Sequence, residues 1–242
     1  MRFLLFSLLA TLFIAGCNKS GGDCLSSSGK IIFQQRGQSG FDSIDMKDNV
    51  NLILTQDSVD EIMVEAGENI ISGITTEVID RQLIIRNLNS CNWTRDYGKP
   101  INVHLKVKNL QLIDYNSSGN ISSTNTISSW KFRVDVRDGC GTVDLDVRNE
   151  FGSFIERAGT VDFKLRGRVT ICEIYAADYG PFHCENLETD YQYINSLGSN
   201  DCYIRCTRDL TVTISSIGNV YYTGNPGKIT QNITGSGKLI PY

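Results

Sequence analysis

The sequence predicts an all-β protein built as a β-solenoid, a stack of rungs of about 20 residues each. Three observations lead to this prediction. The chain of 242 residues has 22 glycines and only four prolines. Several segments rich in β-branched residues are bounded by turn residues, and a glycine recurs at a nearly constant interval in the second half. Because no helical hydrophobic period exceeds two turns, strands and turns are expected throughout the folded part.

Residues 1–16 have the pattern of a secretion signal. The basic residue Arg2 precedes an apolar run at 3–13, and small residues follow. This run is too short to span a bilayer as a helix, which takes roughly 20 residues. Cys17 directly follows an Ala-Gly pair and resembles the lipobox cysteine of bacterial lipoproteins. The resemblance implies that Cys17 receives a lipid, becomes the N-terminus and anchors the chain to a membrane.

The segment 17–38 is rich in serine, glycine and polar residues, so we expect a flexible tether between the lipid and the fold. Loss of Arg2 with the signal changes the formal net charge from −4 to −5. A weakly acidic chain has no electrostatic attraction for nucleic acid or for an anionic lipid surface. The membrane, reached through the lipid, is therefore an expected partner, and nucleic acid is not.

The folded domain is expected over 39–242, with a strand-rich first half at 41–110. Segments there are rich in β-branched residues and bounded by Asp, Asn, Gly or Ser. The predicted strands are 51–55, 61–65, 75–79, 82–86 and 101–107. A loop is expected at 87–100, before the last of them.

Regular rungs are expected over 111–242, because seven corner residues recur there at intervals of 18 to 22 residues. The corners are Gly119, Gly141, Gly159, Gly180, Asn200, Gly218 and Gly237. A corner with positive φ suits glycine best and asparagine next. Since side chains alternate along a strand, the residues two and four positions after each corner should point inward. Most of them are apolar, among them Val143, Val161 and Val220.

Five positions after each corner, an outward column alternates in charge at its centre. It reads Asp146, Lys164, Glu185 and Arg205. Opposite charges on neighbouring strands attract each other. The pattern therefore predicts a structural ladder of ion pairs on a solvated face.

Three positions after each corner, a second outward column contains an aromatic strip. The strip is His183, Tyr203 and Tyr221, followed by Ile240. It is either a platform for a sugar or a partner, or a stack that only stabilises the solenoid. Asp144 and Asp162 precede His183 in this column. These three residues either gather a cation or are solvated side chains on a sheet face.

Eight cysteines are present, and at least one must be unpaired if Cys17 carries a lipid. Cys24 and Cys91 lie outside the predicted strands. Two interpretations remain open for them: they form a disulfide with each other, or they do not pair. Cys184 and Cys202 fall in inward columns of neighbouring rungs but are two residues out of step. Their Cα atoms are therefore expected to lie about 7 Å apart. That distance is at the limit for a disulfide, so buried free thiols are expected. No CxxC spacing exists, and neither a metal site nor a cofactor is predicted.

Several motifs resemble those of the auto-transporter adhesin head GIN domain family, common as lipoproteins in Bacteroidota. The motifs are Gly-Phe-Asp-Ser-Ile at 40–44, Asn-Leu-Ile-Leu-Thr-Gln at 51–56, Glu-Val at 77–78 before Leu-Ile-Ile at 83–85, Ser-Gly-Asn-Ile at 118–121, Gly-Asn-Val-Tyr-Tyr-Thr-Gly-Asn-Pro at 218–226 and Thr-Gly-Ser-Gly-Lys-Leu at 234–239. The resemblance covers nearly the whole mature chain. It implies a right-handed parallel β-helix and carries no catalytic residues.

The expected function is that of a lipid-anchored cell-envelope protein with a non-catalytic binding or scaffold domain, acting as an adhesin or in envelope sensing. A glycan or another envelope protein is the expected ligand. No GxSxG motif occurs, and the histidines His104 and His183 lie in distant segments, so no catalytic residue is predicted. The alternative is a β-helix enzyme acting on polysaccharide, which needs outward acids and bases clustered along a groove. The outer membrane is the expected location, because Asn18 is not the aspartate that retains lipoproteins at the inner membrane of enteric bacteria.

Overall fold

The computed structural model describes residues 27–90 and 99–242. The predicted signal at 1–16, the lipidation site Cys17 and the cysteine pair Cys24 and Cys91 lie outside these residues. No helix among the described residues is both long and apolar enough to cross a membrane.

Seventeen strands lie within the described residues, together with one short 3-10 turn at Ile71–Gly73 and no α-helix. The strands are β1 (Ile31–Arg36), β2 (Ser43–Asp48), β3 (Asn51–Gln56), β4 (Glu61–Gly67), β5 (Ile74–Ile79), β6 (Gln82–Asn87), β7 (Asn102–Val107), β8 (Leu112–Ser117), β9 (Ile121–Ser123), β10 (Ile127–Val136), β11 (Cys140–Glu156), β12 (Thr160–Ala176), β13 (Phe182–Ser196), β14 (Cys202–Ile214), β15 (Val220–Thr223), β16 (Lys228–Ile233) and β17 (Leu239–Pro241). The predicted all-β class is therefore confirmed, and the five strands predicted in the first half lie within one or two residues of β3 to β7.

The strands stack in parallel into a β-solenoid of about 6 turns with rungs of about 20 residues, as predicted. On one face, β3, β9 and the first part of β11 pair in order and continue through β12, β13 and β14 to β15 and β17. On the other face, β2, β8, β10 and the second part of β11 continue through the same three strands to β16. We call these face 1 and face 2. Each long strand therefore contributes its first part to face 1 and its second part to face 2.

Apolar side chains from both faces form one continuous core. The residues Val143, Val161 and Val220, whose burial the solenoid requires, are all fully buried. Phe163 and Phe182 stack inside the core with ring centroids 4.4 Å apart. The alternation predicted from the corners is thus confirmed at most inward positions, whereas Ser123 and Tyr222 are only half-buried and Pro241 is exposed.

The register predicted from the corners is first wrong at the rung of Gly159. Val143 lies opposite Phe163, 20 residues on, and not opposite Val161. The corner Gly159 is therefore two positions early relative to Gly141. Because side chains alternate with a period of two, this slip leaves Val161 buried but changes the partner of every outward residue on β12.

Two different physical reasons place glycine at the corners. Positive φ applies at Gly141 (129°) and Gly159 (121°). At four other corners a Cβ atom would overlap a carbonyl oxygen of the neighbouring rung; these are Gly119, Gly180, Gly218 and Gly237. The expectation that every corner needs positive φ is therefore corrected: most corners need the absence of a side chain.

The predicted tether at 17–38 extends too far, because residues 31–36 form β1. This strand pairs antiparallel with β4, from Ile31 opposite Gly67 to Arg36 opposite Ile62. The Nη2 of Arg36 donates to the carbonyl oxygens of Ile71 and Ile74, both at 3.1 Å. An edge strand offers unpaired backbone groups to such an addition. The side chains of 31–35 are exposed, so no alternation of hydropathy marks the strand in the sequence.

Four buried thiols lie in the core and none of them is paired. They are Cys172, Cys184, Cys202 and Cys206. Cys184 lies opposite Ile204 and Cys202 opposite Phe182, so the two thiols are out of step by two residues. Burial raises the pKa of Cys202 to about 12, which keeps it protonated at neutral pH. The expectation of buried free thiols at Cys184 and Cys202 is confirmed.

Candidate binding surfaces

The aromatic strip predicted on face 1 exists as a stack of rings. His183, Tyr203 and Tyr221 occupy directly opposed positions on β13, β14 and β15. The ring centroids of His183 and Tyr203 are 5.5 Å apart, and those of Tyr203 and Tyr221 are 4.9 Å apart, with interplanar angles of 8° in both pairs. Ile240 lies opposite Tyr221 on β17 and completes the predicted column. We call the three stacked rings the tyrosine stack.

Tyr242 closes the tyrosine stack, which the sequence did not predict. Its backbone N–H donates to the carbonyl oxygen of Tyr222 at 3.1 Å. Its ring meets Tyr203 and Tyr221 edge to face, at centroid distances of 5.8 and 6.0 Å. Counting five positions from the corner Gly237 places Tyr242 in the column of charged residues. That count fails because β17 is only three residues long, and alternation cannot be extrapolated past its end.

Stacking leaves the tyrosine stack little surface for a ligand. Each face of the Tyr203 ring is covered by a neighbouring ring, and burial raises the pKa of its hydroxyl. A sugar binds an aromatic residue through the ring face. The geometry therefore favours the structural interpretation of His183, Tyr203 and Tyr221 over the binding interpretation.

The cation site considered for Asp144, Asp162 and His183 is replaced by a lysine. Owing to the register slip, Lys164 and not Asp162 lies opposite both Asp144 and His183. The Nζ of Lys164 is 2.9 Å from Oδ2 of Asp162. The other carboxylate oxygen of Asp162, Oδ1, is 3.8 Å from Nε2 of His183. The described residues contain no cluster of three side chains able to hold a metal ion. The positive charges beside these carboxylates therefore come from side chains: Lys164 pairs with Asp162, and Arg166 pairs with Asp144.

The predicted charge ladder also has different partners. Asp146 lies opposite Arg166 and not Lys164. Arg166 forms ion pairs with Asp144 and with Asp146, the latter at 3.9 Å. A β-bulge in β13 then shifts the register, so that Arg205 lies opposite Glu188, with 3.4 Å between charged atoms. Alternating charges do pair across the rungs, but the slip and the bulge decide which ones.

A shallow depression of about 390 Å³ lies beside the tyrosine stack. Its lining includes the charged residues Asp144, Lys164, Arg166 and Glu185 and the ring of His183. Both Lys164 and Arg166 are already paired with carboxylates. The hydrogen bond to Asp162 raises the pKa of Lys164, so this amine is protonated at neutral pH and does not act as a base. Neither Lys164 nor Arg166 therefore offers a free base for proton abstraction from a polysaccharide.

A second aromatic surface lies on face 2, and the sequence analysis missed it. Trp130 is 71% exposed, Phe151 37% and Tyr193 46%. With Ser153 and Glu173 they line a groove of about 690 Å³, which we call the tryptophan groove. These residues lie on the second part of each rung. Because the rungs differ in length, residues at equal distances from their glycine corners no longer lie opposite one another there. Counting along the strand pairings of face 2, rather than from the corners, is what brings them together.

The chain has relatives among families and solved structures. Residues 40–226 match the family described as "Putative auto-transporter adhesin, head GIN domain". No curated protein matches the chain.

Similar solved structures come from Bacteroidales. A putative adhesin from Bacteroides fragilis NCTC 9343 has a TM-score of 0.80 at 19% identity, over 90% of this chain and 100% of that one. A putative lipid binding protein from Parabacteroides distasonis ATCC 8503 has a TM-score of 0.62 at 17% identity, over 88% and 97% of the two chains. A putative adhesin from Parabacteroides merdae ATCC 43184 has a TM-score of 0.59 at 16% identity, over 90% and 98%. At these identities the likeness concerns the fold. Given the family match over most of its length, the chain belongs to the putative auto-transporter adhesin head GIN domain family.

Proposed function

We propose that the chain is a lipid-anchored protein of the cell envelope, at the outer membrane, whose β-solenoid binds or scaffolds without catalysis. Family membership indicates an adhesin-like, non-catalytic role and a place at the cell envelope or surface. The observation that carries the proposal is the state of the outward side chains. On face 1, Lys164 and Arg166 are paired with carboxylates and the aromatic rings are stacked, while the tryptophan groove leaves aromatic surface open to solvent.

The alternative, an enzyme acting on polysaccharide, has less support. Glycoside hydrolysis uses two carboxyl groups on opposite sides of the scissile bond. Among the residues that the structure describes, Glu173 is the only acidic one lining the tryptophan groove. In the depression on face 1, the basic residues Lys164 and Arg166 are neutralised by carboxylates. The tryptophan groove therefore presents one carboxyl group where this chemistry uses two, and in the depression Asp144 is already paired with Arg166.

The lipid anchor is tested through Cys17. Cells producing the full-length chain are fed a fatty acid with an alkyne label, and the chain is then isolated. We expect the wild type and a Cys24→Ser control to carry the label and to sediment with membranes. The Cys17→Ser variant should carry none. A labelled Cys17→Ser variant would place the lipid elsewhere and contradict the anchor.

The adhesin-like role is tested with beads that carry the full-length chain. The beads are washed over surfaces coated with purified bacterial surface polysaccharide, with glycoprotein or with albumin. We expect retention on one of the first two surfaces and none on albumin. Equal retention on all three surfaces, or on none, would contradict a specific binding role.

A further inference from the structure

The tryptophan groove is built from two adjacent rows of outward side chains on face 2. The first row contains Phe151 and Ile171, which lie directly opposite each other on β11 and β12 and line the groove; Tyr191 on β13 continues this row outside the groove lining. Trp130 lies at one end of this row, with its ring 5.4 Å from that of Phe151 at an interplanar angle of 65°. Unlike Tyr203, Trp130 is not sandwiched between parallel rings, and 71% of it is exposed. Its ring can therefore accept a ligand.

The second row carries hydrogen-bonding groups. It contains Ser153, Glu173 and Tyr193, which are also directly opposed and lie two residues further along the same strands. Ser153 Oγ donates to one oxygen of Glu173 at 3.0 Å. The other oxygen of Glu173 and the neighbouring side-chain amide of Asn195 form no hydrogen bond with the rest of the described chain. Two residues along a strand span about 6.6 Å, so the polar row lies one sugar-ring width from the aromatic row.

The charges lining the groove cancel. One cation, Lys131, and one anion, Glu173, contribute to it. A ligand with its own charge would gain little here, whereas a neutral ligand with many hydroxyl groups would find donors and acceptors. The volume of about 690 Å³ is in the range of small-molecule sites. Because the groove is open at the surface, an acyl chain would remain in contact with water along its length.

We infer that the tryptophan groove binds a neutral saccharide, with the apolar C–H face of a pyranose ring on the aromatic row and its hydroxyl groups on Glu173 and Asn195. A pyranose has both of these surfaces, which are matched by an aromatic face and a polar edge. The inference rests on the proposed binding function and names its ligand class. It assigns binding to face 2, away from the tyrosine stack.

The test uses the full-length chain in a detergent without sugar headgroups. Its affinity is measured by calorimetry for neutral hexasaccharides of α- and β-linked glucose, mannose and galactose, for hexagalacturonate and for phosphatidylcholine vesicles. We expect at least one neutral hexasaccharide to bind, and hexagalacturonate and vesicles to bind at least tenfold more weakly. Trp130→Ala and Tyr193→Ala should each lower the affinity at least tenfold. The matched control is Tyr179→Ala, because Tyr179 is 60% exposed but lies outside the groove.

Three outcomes would overturn the inference. They are the absence of binding by every neutral hexasaccharide, unchanged affinity in a folded Trp130→Ala variant, and tighter binding of hexagalacturonate or vesicles. The bead assay separates this failure from that of the proposed function. Specific retention that survives Trp130→Ala would keep the adhesin-like role and remove the saccharide groove, whereas loss of specific retention in the wild type would remove the proposed role itself.

Discussion

At the scale of single residues, the close approach of successive rungs decides what a corner accepts. The corners were predictable as glycines at regular intervals, but the reason for most of them was not. Backbone torsion is a property of one residue, whereas the overlap of a Cβ at Gly119 with the carbonyl oxygen of Val50 depends on a residue 69 positions away. Only the stacked fold brings the two together.

Gly119→Ala should therefore destabilise the protein even though Gly119 does not have positive φ. Forcing a methyl group against backbone costs about 1–3 kcal/mol. We expect the melting temperature to fall by several degrees, measured by circular dichroism. Gly37→Ala is the matched control, because nothing lies within 4 Å of its added Cβ. Equal melting temperatures for the two variants would contradict the close-approach explanation.

Glu156 is a buried carboxyl group that couples three rungs. Its side chain is fully buried and accepts the backbone N–H groups of Val161 at 3.1 Å and Gly180 at 2.9 Å. Burial raises its pKa from the usual 4.5 to about 7. Between these values the folded protein holds a proton that the unfolded chain releases. Stability should therefore be highest near pH 5 and fall as the pH rises through about 7.

The loss is on the order of 3 kcal/mol at most, since each pKa unit corresponds to about 1.4 kcal/mol. Melting temperatures at pH 5 and pH 8 measure this loss. Asp135 titrates below this pH range: burial alone would raise its pKa, but the hydrogen bonds from Arg157 and Arg133 lower it. Glu156→Gln should be less stable at pH 5, because its amide cannot accept both N–H groups, and should lose most of the pH dependence. An unchanged dependence in this variant would assign the titration to another group.

At the scale of elements, strand positions were predictable and strand pairing was only partly so. Alternation of apolar residues locates β3 to β7 and tells which side chains face the core. It does not distinguish a register from the same register shifted by two residues, as the pairing of Val143 with Phe163 demonstrates. β1 escaped prediction because its pairing with β4 depends on backbone groups and its side chains are exposed. The tryptophan groove escaped because it depends on pairing across β10 to β13.

The tyrosine stack should contribute to stability more than to binding. Tyr203 contacts two parallel rings and one perpendicular ring. Each such pair contributes about 0.5–1.5 kcal/mol. We expect Tyr203→Ala to lower the free energy of unfolding by about 1–3 kcal/mol in denaturant titrations, and Tyr179→Ala to change it by less than about 0.5 kcal/mol. A stable Tyr203→Ala variant that has lost ligand binding would reverse the assignment.

At the scale of the whole molecule, contacts are made mainly between successive rungs, so stability should vary along the stack. The long strands β11, β12 and β13 have neighbours on both sides along their length, whereas β16 and β17 each pair with one strand and β16 is exposed throughout. Amide hydrogen exchange should accordingly be slowest in β11 to β13 and fastest in β16 and β17. Uniform exchange rates over all rungs would indicate a single cooperative unit instead.

With the proposed lipid anchor, the position of β1 would give the stack a direction relative to the membrane. Beyond β3, face 1 continues through β7 and β4 to β1, which is its terminal strand. Ten strand spacings of about 4.8 Å separate β1 from β17 at the other end, a height of about 48 Å. A chain held by a lipid at Cys17 would thus join the solenoid at one end and not at its middle. Beyond β2, face 2 continues through β6 to its terminal strand β5. The strands β10 to β13, which carry the tryptophan groove, lie four to seven strand spacings from β5, or about 20–35 Å. The rungs below the groove would then serve as a spacer that lifts the ligand site clear of the lipid headgroups.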